Sequence, residues 1–187
     1  MNSEPGPRRP LGQATLFVVF GALAIAAGAQ LSIPMVPVPT TLQTLAIAWL
    51  GLVLGGRLAG YAGLLYLLLV LADLPVLSSG QRHGGLAFFE FLAFGYVLAF
   101  VPGAMVAGWL GYKRRFLRML VAAMAAHVLI LFIGASVLGY WLGWSEVWSQ
   151  GVAPFLLGAV AKSLLAALLA VAWRAAAARR RMPQACD

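Results

Sequence analysis

Acidic residues are scarce in this chain: five in 187, within a charged fraction of only 10%. A soluble domain carries about a quarter charged residues. A chain so poor in charge, 63% apolar and with a mean hydropathy of +0.93, is expected to be an integral membrane protein. Cysteine is almost absent as well. The lone Cys186 stands next to the last residue, which excludes an intrachain disulfide and a cysteine-based metal cluster and leaves the redox compartment open. Also missing are a paired-carboxylate motif, HExxH, a glycine-rich phosphate loop followed by lysine and serine, and a nucleophile elbow. An ATPase is excluded by motif, no catalytic set emerges, and the chain reads as a protein that is not an enzyme and carries no cofactor.

What is present is a series of apolar runs. A hydrocarbon core about 30 Å thick takes roughly 20 residues to cross, and a single-chain segment satisfies its backbone there only as a helix. Runs at 15–33, 41–54, 58–72, 86–112, 119–143 and 154–173 predict an all-α, polytopic bundle of six transmembrane helices. Residues 1–12 form a polar tail, 13–177 the membrane domain and 178–187 a basic tail. The second and third runs are short and call for a thinned bilayer or for ends that extend into loops. Arg8-Arg9 ahead of the first run, with Ala27-Gly28-Ala29 near its end, imitates a cleavable signal with a twin-arginine flavour. The run is nevertheless long enough to span, and its removal would disturb the charge pattern.

That pattern orients the bundle. With six spans, one side receives Arg8, Arg9, Arg57, Lys113, Arg114, Arg115, Arg118, Arg174, Arg179, Arg180 and Arg181, and the other only Arg82. The positive-inside rule then puts both termini in the cytoplasm. The net charge of +8 follows from topology, and no nucleic-acid partner is expected, because the basic residues flank apolar spans without interleaved aromatics.

Two outward segments are polar. Pro34, Pro37 and Pro39 fix φ and remove donors, so a helix arriving at Ile33 should stop there, and Thr40 or Thr41 is placed to cap the next one. Ser32, Gln43 and Thr44 add polar groups to the same reversal. The loop at 73–85 brings Gln81, Arg82 and His83 among glycines and serines, as a plain connection or as a lid over a site. Inside the membrane, Lys162 lies eight residues beyond Pro154, about 12 Å deep at about 1.5 Å per residue. A lysine there costs about 2.5–3.5 kcal/mol on the lenient insertion scale, so it faces a ligand or an ion pair. Glu90, about 6 Å deep by the same geometry, is the candidate partner. His127 reads as an interhelical hydrogen-bonding residue, with proton coupling as the lesser alternative.

The segment IPMVPVPTTLQTLAIAWLGLVLGGRLAGYAGLLYLLLVLADLPVL resembles the BioY family, the biotin-binding S components of energy-coupling factor transporters. The proline turn, the TLQT run, the Gly-Arg connection and the Leu-Pro-Val exit carry the likeness. Gly84-Gly85, Gly95-Tyr96 and the series Gly151, Pro154-Phe155, Gly158, Lys162 extend it over most of 13–170. The resemblance implies biotin held near the extracellular side, a membrane T subunit and two cytoplasmic ATPase subunits as partners with ATP used only by the latter, and a place in the bacterial inner membrane among its lipids. The small residues of the first helix, Ala22, Ala24, Ala26, Ala27, Gly28 and Ala29, become candidates for docking on the T subunit as against packing within the bundle.

Two departures bear on the ligand. The family's Gly-Asp pair ahead of its lysine is Gly158-Ala159 here, and its GPTGGY run is reduced to FLAFGY at 91–96. Glu90 is therefore expected to replace the missing acid, by accepting ureido N–H bonds or by balancing Lys162. The substrate-binding candidates are Lys162, aimed at the valerate carboxylate or at an acidic partner, with Glu90, Gln43, Thr44, Gln81 and Tyr96 as further polar contacts. The alternatives are an S component for a related solute, a membrane scaffold whose Glu90–Lys162 pair fixes helix register, and, weakest, a membrane enzyme using Glu90 and His127.

Overall fold

Backbone amides in a membrane have no water to bond, so long apolar runs fold as helices; a computed structural model describes residues 10–179, which are helical for most of their length. The order is α1 (Leu11–Gln30), a two-residue ribbon of β1 (Ser32–Ile33) and β2 (Thr40–Thr41), α2 (Gln43–Leu54) and α3 (Gly56–Leu71). Two 3₁₀ turns follow, Ser78–Gly80 and Gly85–Glu90, then α4 (Phe94–Leu98), α5 (Phe100–Gly111) and α6 (Phe116–Leu142). A short α7 (Trp144–Val147) passes through a π turn, Trp148–Val152, into α8 (Ala153–Arg179). Among the described residues, four helical segments are long and apolar enough to cross a membrane: Leu11–Gln30, Phe94–Gly111, Phe116–Leu142 and Trp144–Arg179. Gln43–Leu54 and Gly56–Leu71 are shorter apolar helices.

The boundaries differ from the expected ones for local reasons. α1 ends at Gln30 because Leu31 leaves helical geometry at φ −90° and ψ 83°, which lets Ser32 and Ile33 pair antiparallel with Thr41 and Thr40. Leu42 occupies the cap position of α2, while the Thr41 hydroxyl accepts the Gln43 amide at 3.3 Å. The span expected at 86–112 does not begin at 86. Phe88 turns inward and is fully buried, packing edge-on against Phe89 and Phe94 at 5.5 and 5.8 Å. The apolar side chains of 86–94 thus build an aromatic cluster, and regular helix resumes only at Phe94. At the other end α8 runs past Trp173 to Arg179.

A short helix lies at the centre. α2 packs against α1, α3, α5, α6 and α8, and Ile47, Ala48 and every residue from Leu50 to Leu54 are buried. A helix surrounded on all sides must be apolar all round, which is how its sequence reads. Gly55 alone separates α2 from α3, at φ +87°, a conformation that favours glycine. α5 crosses this corner so closely that a Cβ on Gly108 would collide with the backbone of Gly55 and Gly56. Close approach of this kind is a principal source of helix association in lipid. α1 does the same with an inward stripe of Gly21, Ala22, Ile25, Gly28 and Ala29, so Ala22, Gly28 and Ala29 of the six docking candidates pack within the bundle; Ala24 and Ala26 are half-buried and Ala27 is exposed. The outer surface carries large apolar side chains such as Phe20, Leu23, Phe132, Leu157 and Leu168, as a surface facing lipid requires.

The corner gives a test. Gly108→Leu is expected to lower stability in detergent by about 1–3 kcal/mol or more through overpacking, seen as a reduced midpoint in a thermal unfolding scan. Gly12→Leu, where an added Cβ meets nothing within 4 Å, should melt as the parent does. Equal midpoints for all three would contradict the packing described.

Candidate functional site

The ribbon after α1, the start of α2, the 73–93 segment and α4, α6 and α8 converge on one cavity. It contains about 660 Å³ of space empty of atoms, part of it open to the surroundings. Its walls are mostly apolar. Val38, Leu77, Phe91, Phe100, Ile130 and Phe155 contribute from five separate segments.

The polar groups come from the reversal, the head of α2, the loop at Ser78, α4, α6 and α8. On α8, Phe155, Ala159 and Lys162 stand at the spacing of one helix face and line the cavity together. Lys162 is half-buried, and its Nζ donates to the Thr41 carbonyl at 2.6 Å, joining α8 to the ribbon across 121 residues of sequence. An ammonium has three donors, so this bond leaves two for a ligand.

Gln43 is 5% exposed and fully engaged. Its Oε1 accepts from the Thr41 hydroxyl at 2.9 Å, and its Nε2 donates to the Tyr66 hydroxyl at 2.6 Å. Tyr66 in turn donates to the Val76 carbonyl at 3.1 Å, and Gln30 donates to the Leu77 carbonyl at 3.0 Å. The amide that faces the cavity thus anchors the loop that covers it. Leu77 and Ser78 of that loop line the cavity, and its His83 stacks on Phe91 with ring centroids 4.5 Å apart. Tyr96 also lines the cavity, with its hydroxyl donated to the Gly151 carbonyl at 2.7 Å. The Thr44 hydroxyl lines it as well.

Lys162, Gln43, Thr44 and Tyr96 are therefore brought together, whereas Gln81 and Glu90 are not: both are exposed and lie outside the lining. Glu90 ends a 3₁₀ turn, and measuring its depth along a continuous helix from residue 86 does not apply. Among the described residues Glu90 forms no ion pair with Lys162, so the expected balancing acid is absent. The other described carboxylates are engaged elsewhere. Asp73 accepts the Gly84 amide at 3.0 Å and Glu146 accepts from Gln150 at 2.8 Å. Lys162 is the one charged side chain lining the cavity. Among the described residues no cluster of three or more His, Cys, Asp or Glu is placed to hold a metal ion.

Sequence reasoning passed over His127 as a wall residue. It lines the cavity from α6 with Ile130 and Leu131, at the i, i+3, i+4 spacing of one face. The available signal was its type, since an ionisable residue inside a span is by default a site candidate. The arrangement as a whole suits reversible capture of a small anion with an apolar body.

Comparison with known proteins agrees with that chemistry. The chain matches the family model described as BioY family over residues 7–179. It is similar to the biotin transporter BioY of Rhizobium etli, 34% identical over 170 residues, covering 82% of this chain and 88% of that protein. It is also similar to the biotin transporter BioY2 of Lactococcus lactis, 33% identical over 159 residues, 83% of this chain and 86% of that one. The solved S-component for biotin from an ECF-type ABC transporter superposes with a TM-score of 0.78 and 22% identity, covering 89% of this chain and 95% of that one; the two share a fold.

The loop anchor is testable by limited proteolysis. Tyr66→Phe removes the bond to Val76 and leaves the Gln43 amide without its acceptor, a loss of about 1 kcal/mol and hence about fivefold in the population of the open loop. Trypsin cleavage after Arg82 should quicken by about that factor. An unchanged rate would mean that other contacts hold the loop.

Proposed function

The chain belongs to the BioY family, and from that premise we propose that it takes up biotin as the substrate-binding membrane subunit of an energy-coupling factor transporter. The observation that carries the reading is a mostly apolar cavity with one ammonium and no carboxylate. Biotin has one carboxylate at the end of an apolar chain and a compact bicyclic body. Lys162 takes the valerate carboxylate with the donors that Thr41 leaves free, while Gln43, Thr44 and Tyr96 shape the polar part of the wall. The 73–85 loop, rooted through Tyr66 and Gln30, closes over the bound ligand. The scaffold alternative needed a Glu90–Lys162 pair and loses its support.

Six spans with both termini in the cytoplasm remain the proposed topology, and the placement of the basic residues supports it. Arg57 and Arg114 share one depression with Tyr112, and Arg174 donates to the Arg114 carbonyl at 2.7 Å. Basic residues from three parts of the chain thus gather at the end of α2 and α5 opposite the cavity. Arg8, Arg9, Arg180 and Arg181 lie outside the described residues. The proposed setting is the bacterial inner membrane, multi-pass. The chain carries no nucleotide motif of its own, so a T subunit and two ATPase subunits supply the energy, and the outward face of α1, with Leu16, Leu23 and Ala27 exposed, is the proposed dock for the T subunit.

Equilibrium binding of radiolabelled biotin to protein purified in detergent tests the reading. The parent should bind saturably, and Lys162→Ala should weaken binding by about 2 kcal/mol or more, at least about 30-fold. A well-folded parent that binds no biotin would overturn the assignment, and a panel of other small carboxylates would follow.

A further inference from the structure

His127 holds a nitrogen that the fold leaves unused. The residue is 3% exposed, and its Nδ1 lies 2.9 Å from the Ala123 carbonyl oxygen and 2.9 Å from the Ser163 hydroxyl. A carbonyl oxygen only accepts, so a contact that short places the proton on Nδ1, which is shared between Ala123 and Ser163. In the neutral ring Nε2 is then a bare acceptor. Nε2 is buried and has no partner among the described residues, an exception that demands a physical reason in a well-packed protein. The residue is one of those that line the cavity.

We propose that His127 is a ligand-binding residue whose Nε2 accepts a hydrogen bond from a ureido N–H of biotin. The inference rests on the reading of biotin as the ligand and adds a contact for its ureido ring. Lys162 only donates and no carboxylate lines the cavity among the described residues; beside the rotatable hydroxyls of Thr40, Thr44 and Ser78, a cyclic urea presenting two N–H groups meets in His127 an acceptor fixed in direction by its own bonds. Ser163, which orients the ring, is fully buried and lies one helical turn after Ala159 on α8. The acceptor therefore stands on α6 beside the cavity face of α8, which carries no carboxylate. His127 thereby does what Glu90, exposed and outside the cavity, does not.

The test uses purified full-length protein, labelled biotin, and two biotin analogues methylated at one or the other ureido nitrogen. His127→Asn keeps a donor near the position of Nδ1 for Ala123 and Ser163 and deletes the acceptor at Nε2, whereas His127→Gln returns an amide oxygen to the Nε2 position. Expected are a tenfold or greater loss of biotin affinity in His127→Asn, substantial recovery in His127→Gln, and a parent that prefers biotin to one methylated analogue by tenfold or more. In His127→Asn that preference should shrink to about twofold. A parent that binds biotin and both analogues equally overturns the proposal without recourse to any variant. So does a His127→Asn protein with parental affinity and preference while Lys162→Ala is impaired, and that result leaves the biotin reading standing. A folded parent that binds no biotin overturns both.

Discussion

One hydrogen bond joins the distant parts of this molecule: the Lys162 ammonium on the Thr41 carbonyl at 2.6 Å. A cation this far from bulk water needs oxygen ligands, and with the described carboxylates kept outside the cavity it takes one from the backbone. The proline-rich reversal supplies that carbonyl because Ser32 and Thr41 pair at the neck of a short ribbon, which fixes the direction of the peptide between Thr41 and Leu42. A main-chain carbonyl carries no net charge. Lys162 is thus held in place without being neutralised, and the cavity keeps an unspent positive charge.

The helices that present this charge are arranged around α2, a short helix packed against α1, α3, α5, α6 and α8. Its polar start faces the cavity, and its end meets α5 through backbone contacts at Gly108. In lipid, apolar side chains gain nothing by turning from one hydrocarbon surroundings to another, and closeness of backbones matters more. Glycines at the far corner therefore fix the position of Gln43 and Thr44 at the near end. The chain of bonds from Thr41 through Gln43 and Tyr66 to Val76 extends that rigidity to the loop above the cavity.

Much of the helical order was legible in the sequence, because unbroken apolar runs leave the backbone no alternative. Lys162 stood out for the same reason: a single charge in an apolar run demands compensation. Glu90 misled because burial along 86–93 depends on Phe88, Phe89 and Phe94 finding one another, a tertiary event that local periodicity does not encode. Gln43 and Tyr96 were identified as polar wall residues, but their bonds to Tyr66 and Gly151 join positions 23 and 55 residues apart, and spacing alone does not announce such pairs. His127 was read as an interhelical hydrogen-bonding residue, which its contact with Ser163 on α8 bears out, but its place in the cavity wall was not foreseen. Its significance comes from Ser163, 36 residues away, and from a stripe of α6 whose inward side is decided only when α8 packs against it.

The single glycine between α2 and α3 has a mechanical consequence. With one residue at the corner and α5 pressed into it, the pair has no slack and behaves as one bent rod. Gln43 at the head of α2 is bonded to Tyr66 on α3, which closes a triangle from two helices and a strut. The floor of the cavity and the root of its cover then belong to a single stiff body. In the proposed reading, entry and exit of biotin fall to the irregular segment after Val76, which is built of 3₁₀ turns and ring contacts outside that frame.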